Sequence, residues 1–96
     1  MNCHRCGRAI ARADDQTEVL GRHEHDVTNP HGHRFRIGCF SAAENLVSTT
    51  NPSSEWSWFP GTRWQAQACS TCGELVGWKF VRGEGEVFYG LIISEP

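Results

Sequence analysis

The chain lacks a long apolar run, an excess of positive charge and a charged-then-apolar leader at its start. No run approaches the about 20 apolar residues that cross a bilayer, so we expect no membrane partner. The net charge is −2 and the basic residues are scattered, which gives no support to a nucleic-acid partner. The missing leader favours a cytoplasmic location over the secreted class of disulfide-bonded domains.

Helical signals are also scarce, although Ser41-Ala42-Ala43-Glu44 has the spacing of a capping box. We expect one or two helical turns there and a loop over 21–32. Apolar residues instead alternate with period two over 33–39, 62–68 and 75–80, which predicts strands there. Residues 86–93 are apolar on both faces, which predicts a central strand. No repeat or linker divides the chain, so the sequence predicts one all-β domain over 1–96.

Five cysteines are present, an odd number for a framework of disulfides. Four of them form two Cys-x-x-Cys knuckles, Cys3 with Cys6 and Cys69 with Cys72. Two such knuckles can supply four thiolates to one structural zinc, with Zn–S bonds of about 2.3 Å. About 60 residues separate the knuckles, far more than in compact zinc ribbons. The metal is therefore expected to clamp the start of the domain to its last third, while Cys39 is left over.

Tryptophan is unusually frequent: there are four in 96 residues, at Trp56, Trp58, Trp64 and Trp78. A large indole with an N–H to satisfy is a poor choice for merely filling a small core. We therefore favour an aromatic cage, with an aromatic-rich core as the alternative. Pro60-Gly61 has the residues of a type II turn, which would bring Trp58 and Trp64 together.

Six sequence elements, in this order, resemble the cereblon-type thalidomide-binding domain, also called the CULT domain. They are Cys3-x-x-Cys6-Gly7, Asn29-Pro30-His31-Gly32, Glu55-Trp56-Ser57-Trp58-Phe59-Pro60-Gly61-x-x-Trp64, Cys69-x-x-Cys72, Gly77-Trp78-Lys79-Phe80 and Phe88-Tyr89-Gly90-Leu91. They cover nearly the whole chain, and the Trp-Phe-Pro-Gly-x-x-Trp stretch is very specific. The resemblance implies a zinc-bound β-tent of two antiparallel sheets meeting at a steep angle, in a single-domain, bacterial-like form.

The same resemblance implies a ligand pocket with three tryptophan walls. Its residues here would be Asn29, Pro30, Trp56, Ser57, Trp58, Trp64, Trp78 and Phe80. Trp58, Trp64 and Trp78 would be the walls, with Phe80 behind them. Trp56 stands where the human family member has histidine, so an imidazole hydrogen bond is lost and the backbone must serve.

The implied ligands are cyclic imides: glutarimide and thalidomide-type compounds, imides at protein C-termini, and uridine-like rings with the same polar edge. The C=O of Trp56 and the N–H of Trp58 could meet the imide N–H and one imide carbonyl. The chain lacks the regions through which full-length members join a ubiquitin ligase. We therefore expect no ligase assembly from this chain alone.

Two other functions fit parts of the sequence. A methionine sulfoxide reductase of the B type has a similar zinc-bound scaffold, but Cys39 would have to be its nucleophile. A reader of methyl-lysine or quaternary ammonium would use the aromatic faces together with a carboxylate from Glu55 or Glu74. Cys39 lies on the apolar face with Phe35 and Ile37, where a thiol is more often a small buried hydrophobe, and its reactivity in the zinc-loaded protein would separate the reductase from imide binding. We expect a binding module without catalytic residues.

Overall fold

Strands dominate the computed structural model, which describes residues 1–95. Residue 96 of the predicted domain lies outside the described residues. The six strands are β1 (Glu24–Thr28), β2 (Arg34–Phe40), β3 (Leu46–Ser48), β4 (Thr62–Cys69), β5 (Leu75–Arg82) and β6 (Glu86–Ser94). A short 3-10 turn covers Ala13–Asp15. The predicted all-β class is confirmed, and within 1–95 no helix is long and apolar enough to cross a membrane.

All six strands belong to one antiparallel sheet in the order β1-β2-β6-β5-β4-β3. The resemblance implied two sheets, but β6 pairs with β2 along one edge and with β5 along the other, which makes the hydrogen bonding continuous. The central position predicted for residues 86–93 is thereby confirmed. Breaks in register at Arg36/Ile37 and at Gln67/Ala68 interrupt the regular pleat of the sheet.

The expected helical turn at 41–44 is absent, because the backbone amides it would need have other partners. The Ser41 N–H donates to the Asp15 carbonyl and the Glu44 N–H donates to the Ile10 carbonyl, each at 2.8 Å. The segment thus fastens the N-terminal part of the chain to the sheet and then continues into β3.

The expected loop over 21–32 was wrong in part, since it contains the edge strand β1. Only Val27 of this strand is buried, so its apolar pattern gave no signal. Ladder pairing with β2 holds it, and the Asp26 carboxylate accepts a 2.9 Å hydrogen bond from Nε of its cross-strand partner Arg36. Hydrogen bonding to a neighbouring strand, rather than burial of apolar side chains, stabilises β1.

Candidate functional site

The four knuckle cysteines meet at one point, as the sequence predicted. Their sulfur atoms all lie within 4.8 Å of one another. Sγ of Cys3 is 3.6 Å from Sγ of Cys72, and Sγ of Cys6 is 3.5 Å from Sγ of Cys69. A tetrahedral metal with bonds of about 2.3 Å to sulfur needs sulfur–sulfur edges of about 3.8 Å, whereas a disulfide needs about 2 Å. The cluster therefore has the dimensions of a site for one metal ion.

The two knuckles have the same backbone hydrogen bonds. In each, the N–H of the first cysteine donates to a carbonyl five residues later, at 2.7 Å for Cys3 and 2.8 Å for Cys69. A glycine follows each second cysteine, and Gly7 and Gly73 adopt φ of 80° and 79°. This left-handed conformation suits glycine, which explains the Cys-Gly pair that closes both knuckles.

Backbone amides also favour the thiolate form of the first cysteine of each knuckle. The Cys6 amide lowers the pKa of the Cys3 thiol, and the Cys72 amide lowers the pKa of the Cys69 thiol to about 6. Metal binding requires thiolates, so these hydrogen bonds prepare the ligands for a cation.

The metal centre closes a hydrophobic cluster. Cys3 and Cys69 are buried in it, together with Ile10 from the N-terminal segment, Val76 from β5 and Leu91 from β6. Without the clamp, the first eleven residues would be held mainly by the burial of Ile10 in this cluster and by hydrogen bonds such as that from the Glu44 N–H to the Ile10 carbonyl at 2.8 Å. A metal here would fasten the N-terminal segment to the sheet.

A second site is a cavity of about 340 Å³. It lies against the other hydrophobic cluster of the protein, which includes Phe35, Trp78 and Phe80. It lies between the turn after β1, the loop before β4, and the faces of β4 and β5. Its lining residues are Asn29, Pro30, His31, Phe35, Thr50, Trp56, Trp58, Trp64, Ala66, Leu75, Trp78 and Phe80. No carboxylate, lysine or arginine is among these described residues, so the lining is mainly aromatic.

Strand register builds the floor of the cavity. Trp64 and Ala66 of β4 stand opposite Phe80 and Trp78 of β5. Residues two apart on a strand point to the same face, so these four side chains share one surface. Ala66 is small and stands opposite Trp78. Space therefore remains above the sheet that a large side chain at position 66 would fill.

The loop before β4 supplies the remaining wall. Phe59 is anchored in the core, with its ring centroid 4.9 Å from that of Phe80. Pro60-Gly61 forms the predicted turn: the Thr62 N–H donates to the Phe59 carbonyl at 3.2 Å, and Gly61 has φ of 77°. The anchor and the turn fix the position of Trp58 over the sheet.

The indole N–H groups of Trp58 and Trp64 both donate to backbone carbonyls of the protein. Nε1 of Trp58 donates to the Thr28 carbonyl at 2.9 Å, and Nε1 of Trp64 donates to the Glu55 carbonyl at 2.7 Å. These bonds tie the loop to the end of β1 and to β4. Their polar atoms are satisfied, so their aromatic faces are free to contact a ligand.

The rim next to β1 is a rigid turn. Oδ1 of Asn29 accepts hydrogen bonds from the backbone N–H groups of His31 and His33, at 3.0 and 2.9 Å. Pro30 follows Asn29, and the Gly32 N–H donates back to the Asn29 carbonyl at 2.9 Å. Asn29 therefore positions the rim through its side chain, as asparagine commonly does in turns.

Trp56 is the unusual residue of the site. Its side chain is 72% exposed and its φ is 59°, a left-handed conformation that bulky residues rarely adopt. Within residues 1–95, neither its carbonyl nor the Trp58 N–H has a backbone hydrogen-bond partner. One acceptor and one donor thus remain unpaired beside the cavity.

Seven of the eight predicted ligand-pocket residues line this cavity, but Ser57 does not. Its hydroxyl lies 2.5 Å from Oγ1 of Thr62 and donates to the Phe59 carbonyl at 3.2 Å, so it supports the turn instead. The sequence analysis missed five lining residues: His31, Phe35, Thr50, Ala66 and Leu75. Period-two alternation over 33–39 and 62–68 puts Phe35 and Ala66 on the apolar faces of their strands, and this signal could have found those two.

The residues of the two alternative functions lie elsewhere. Cys39 is fully buried among core residues, and burial raises the pKa of its thiol to about 11. A nucleophile needs an accessible thiolate, so this environment opposes the reductase function. Neither Glu55 nor Glu74 lines the cavity. Oε2 of Glu74 instead lies 3.7 Å from Nε2 of His4 and 3.7 Å from Nη1 of Arg5, beside the metal centre. A cation reader would lack its carboxylate.

This chain is similar in sequence to one region of much longer proteins. No family model matches it. It is 39% identical to cereblon of Gallus gallus over 70 residues and 44% identical to cereblon of Xenopus tropicalis over 70 residues, in each case covering 69% of this chain. It is 46% identical to cereblon of Drosophila persimilis over 99 aligned positions, or 93% of this chain. The chain spans 16% of the length of each of these relatives. Together with the four-cysteine cluster, these similarities support a cereblon-like domain with a metal-binding site.

Proposed function

We propose that this domain binds small neutral cyclic imides in the tryptophan-lined cavity. The observation that carries the proposal is the composition of the lining: four tryptophans and two phenylalanines surround the space, and no carboxylate, lysine or arginine of the described chain lines it. Such a cavity favours a ligand that is flat, compact and uncharged. Few polar groups in an apolar slot are usual for small-molecule sites.

A cyclic imide fits the polar groups that are available. Its edge has a carbonyl, an N–H and a second carbonyl, while its remaining atoms are CH₂ groups. The Trp56 carbonyl can accept from the imide N–H, and the Trp58 N–H can donate to one imide carbonyl, because both lack backbone partners within 1–95. The CH₂ groups would then lie against the indole faces of Trp58, Trp64 and Trp78.

The expected affinity is moderate. Glutarimide has about eight heavy atoms, and at roughly 1 kcal/mol per atom its binding free energy would be about −8 kcal/mol, or near micromolar Kd. By the same geometry, imides at protein C-termini and uridine-like rings are the natural ligands we propose.

We also propose that the four-cysteine site holds structural zinc. Four thiolates in a closed tetrahedral set are the usual ligands of structural Zn²⁺, which would supply folding energy and no chemistry. Thiolate sets of this shape also suit iron, so metal analysis decides the identity. A reducing cytoplasmic location, which would keep the cysteines as thiols, stays a proposal. The single-domain form, the absence of catalysis and the lack of ligase assembly stay predictions.

The decisive experiment is a calorimetric titration of the metal-loaded protein with glutarimide, uridine and tetramethylammonium chloride. Saturable binding of glutarimide with one site per chain supports the proposal. A matched control ligand is cyclohexanone, which keeps a six-membered ring and one carbonyl but lacks the N–H from which the Trp56 carbonyl would accept; we expect at least about tenfold weaker binding. Binding of the ammonium compound without binding of glutarimide would favour a cation reader and overturn the proposal.

A further inference from the structure

A second depression lies beside the loop before β4, separate from the tryptophan-lined cavity. Its volume is about 460 Å³, and the two spaces share no lining residue. Its lining comes from the loop between 54 and 61, from the start of β4, and from 81–83, where β5 runs into the turn before β6. Small-molecule sites commonly occupy about 300–1,000 Å³, so the depression has room for a ligand of its own.

The floor of this depression is formed by buried residues whose polar groups are already paired. Phe59 and Thr62 are both buried. The Phe59 carbonyl accepts hydrogen bonds from the Thr62 N–H at 3.2 Å, from the Thr62 hydroxyl at 2.6 Å and from the Ser57 hydroxyl at 3.2 Å. These three bonds satisfy the floor within the protein, so the exposed rim must supply the groups that recognise a ligand.

The rim has hydrogen-bond donors without acceptors. Gly61 and Gly83 both line the depression, and the backbone N–H of neither has a hydrogen-bond partner within residues 1–95. The exposed Arg63 guanidinium adds a planar fork of N–H donors. It forms no ion pair within the same residues, in contrast to Arg36 and Arg82. The rim therefore has an excess of donors together with one positive charge.

No carboxylate of the described lining balances the charge of Arg63. Glu84 lies in the adjoining turn but does not line the depression, and Oε1 of Glu86 lies 3.5 Å from Nη1 of Arg82. Apolar surface adjoins the charge, because Arg63 stands opposite Val81 in the ladder between β4 and β5 and the two side chains share one face. The rim thus combines a cation, free amides and an apolar wall.

We infer that this depression binds a compact organic oxyanion, a carboxylate or a phosphate monoester attached to an apolar ring. Arg63 and the N–H groups of Gly61 and Gly83 hold the oxygen atoms, because guanidinium and backbone amides form strong charge-assisted hydrogen bonds with such anions. Pro60 and Val81, which also line the depression, contact the ring. The site goes beyond the proposed imide binding and does not depend on it, because the two spaces have no lining residue in common.

The test is a titration of the isotope-labelled, metal-loaded protein with benzoate and with phenyl phosphate, followed by two-dimensional NMR. We expect saturable shifts of the Gly61 and Gly83 amide signals, and the relative affinities of the two anions distinguish a carboxylate from a phosphate. Benzamide is the matched control ligand, because it keeps the ring and the planar shape of benzoate but has no charge. It should bind at least about tenfold more weakly.

Arg63→Gln removes the charge and keeps most of the length of the side chain. Because Arg63 is exposed, the variant should fold normally, and it should weaken the binding of both anions about tenfold. The matched control variant is Arg34→Gln. Arg34 is also exposed and forms no ion pair within residues 1–95, but it lies in β2 and does not line the depression. This control removes the same charge and should keep the affinity of the unmodified protein.

Three results would overturn the oxyanion site. The first is that the anions shift the indole N–H signals of Trp58 and Trp64 but leave the Gly61 and Gly83 amides unchanged, which would mean that they enter the tryptophan-lined cavity instead. The second is that benzamide binds as tightly as benzoate. The third is that Arg63→Gln and Arg34→Gln have the same effect, which would mean that only the net charge of the protein matters.

Discussion

The rings of Trp58 and Trp78 meet edge to face, with centroids 4.7 Å apart and planes at 84°. Trp78 also contacts Phe35 edge to face at 5.1 Å, and Trp58 is tied to the Thr28 carbonyl. The corner between the two indoles is therefore held from both sides before any ligand arrives. Preorganised walls lower the entropy cost of binding, which supports a site for a small ring.

Truncation of a wall should weaken imide binding without unfolding the protein. Trp58 and Trp64 are only half-buried, so Trp58→Ala or Trp64→Ala should leave most of the core in place. Each should cost about 2 kcal/mol or more of binding free energy, or roughly 30-fold in Kd for glutarimide, as at an interface hot spot. Calorimetry gives the Kd, and metal content with thermal melting checks the fold. Parent-like affinity in both variants would mean that the tryptophans serve only the core.

Methylation of the imide nitrogen should strongly weaken binding. N-methylglutarimide has no N–H for the Trp56 carbonyl, which would be covered without a partner, and its methyl group occupies the position of the lost hydrogen. We expect at least a 30-fold loss relative to glutarimide in the same titration. Methylation at a ring CH₂ is the control for added bulk. Equal binding of N-methylglutarimide and its parent would contradict the proposed hydrogen bond.

The metal should be needed for folding, and four cysteines should be enough to hold it. Elemental analysis should find one zinc per chain, and Cys69→Ser should lose it together with a cooperative melt. Cys39→Ala should keep the zinc and lose at most about 1 to 2 kcal/mol of stability. A full zinc complement in Cys69→Ser, or a lost one in Cys39→Ala, would show that a different set of cysteines binds the metal.

Cys39 should be chemically silent in the native protein. Burial raises the pKa of its thiol to about 11, so the thiolate is scarce at pH 8 and the sulfur is out of reach of a reagent. Iodoacetamide should label Cys39 only after unfolding, as mass spectrometry of peptides can measure. Because the folded state favours the protonated thiol, the associated stability is present below the ordinary pKa near 9 and is lost as pH rises toward 11. Rapid native labelling would revive a reactive role.

Gly77 should be intolerant of any side chain. A Cβ at this position in β5 would lie 2.2 Å from the Gly90 carbonyl oxygen of β6, so the central strands would have to separate. Gly77→Ala should lower the free energy of unfolding by about 3 kcal/mol or more. Gly83→Ala is the control: its φ is 55° but nothing lies within 4 Å, so only about 1 kcal/mol of backbone strain is expected. Chemical denaturation measures both, and equal losses would mean that strain alone matters.

The residues themselves determined the features that depend on local chemistry. The Cys-x-x-Cys spacing predicted the metal ligands because two thiolates on one tight turn point to the same ion. Alternation predicted β2, β4 and β5 because a strand exposes its two faces in turn, and the apolar run over 86–93 predicted β6 because a central strand is buried on both faces. Pro60-Gly61 predicted the type II turn because its dihedral angles are specific to those residue types.

Tertiary structure decided what depends on partners distant in the chain. Residues 24–28 form β1 because they hydrogen-bond to β2 along an antiparallel ladder. Residues 41–44 form no helical turn because the N–H groups of Ser41 and Glu44 donate to the carbonyls of Asp15 and Ile10. Strand register and loop hydrogen bonds place Leu75 and His31 in the lining of the cavity. Ser57 does not line it, because its hydroxyl hydrogen-bonds to Thr62 instead. The exposed, left-handed state of Trp56 was likewise invisible in the sequence, because exposure and φ are set by the chain around a residue and not by its type.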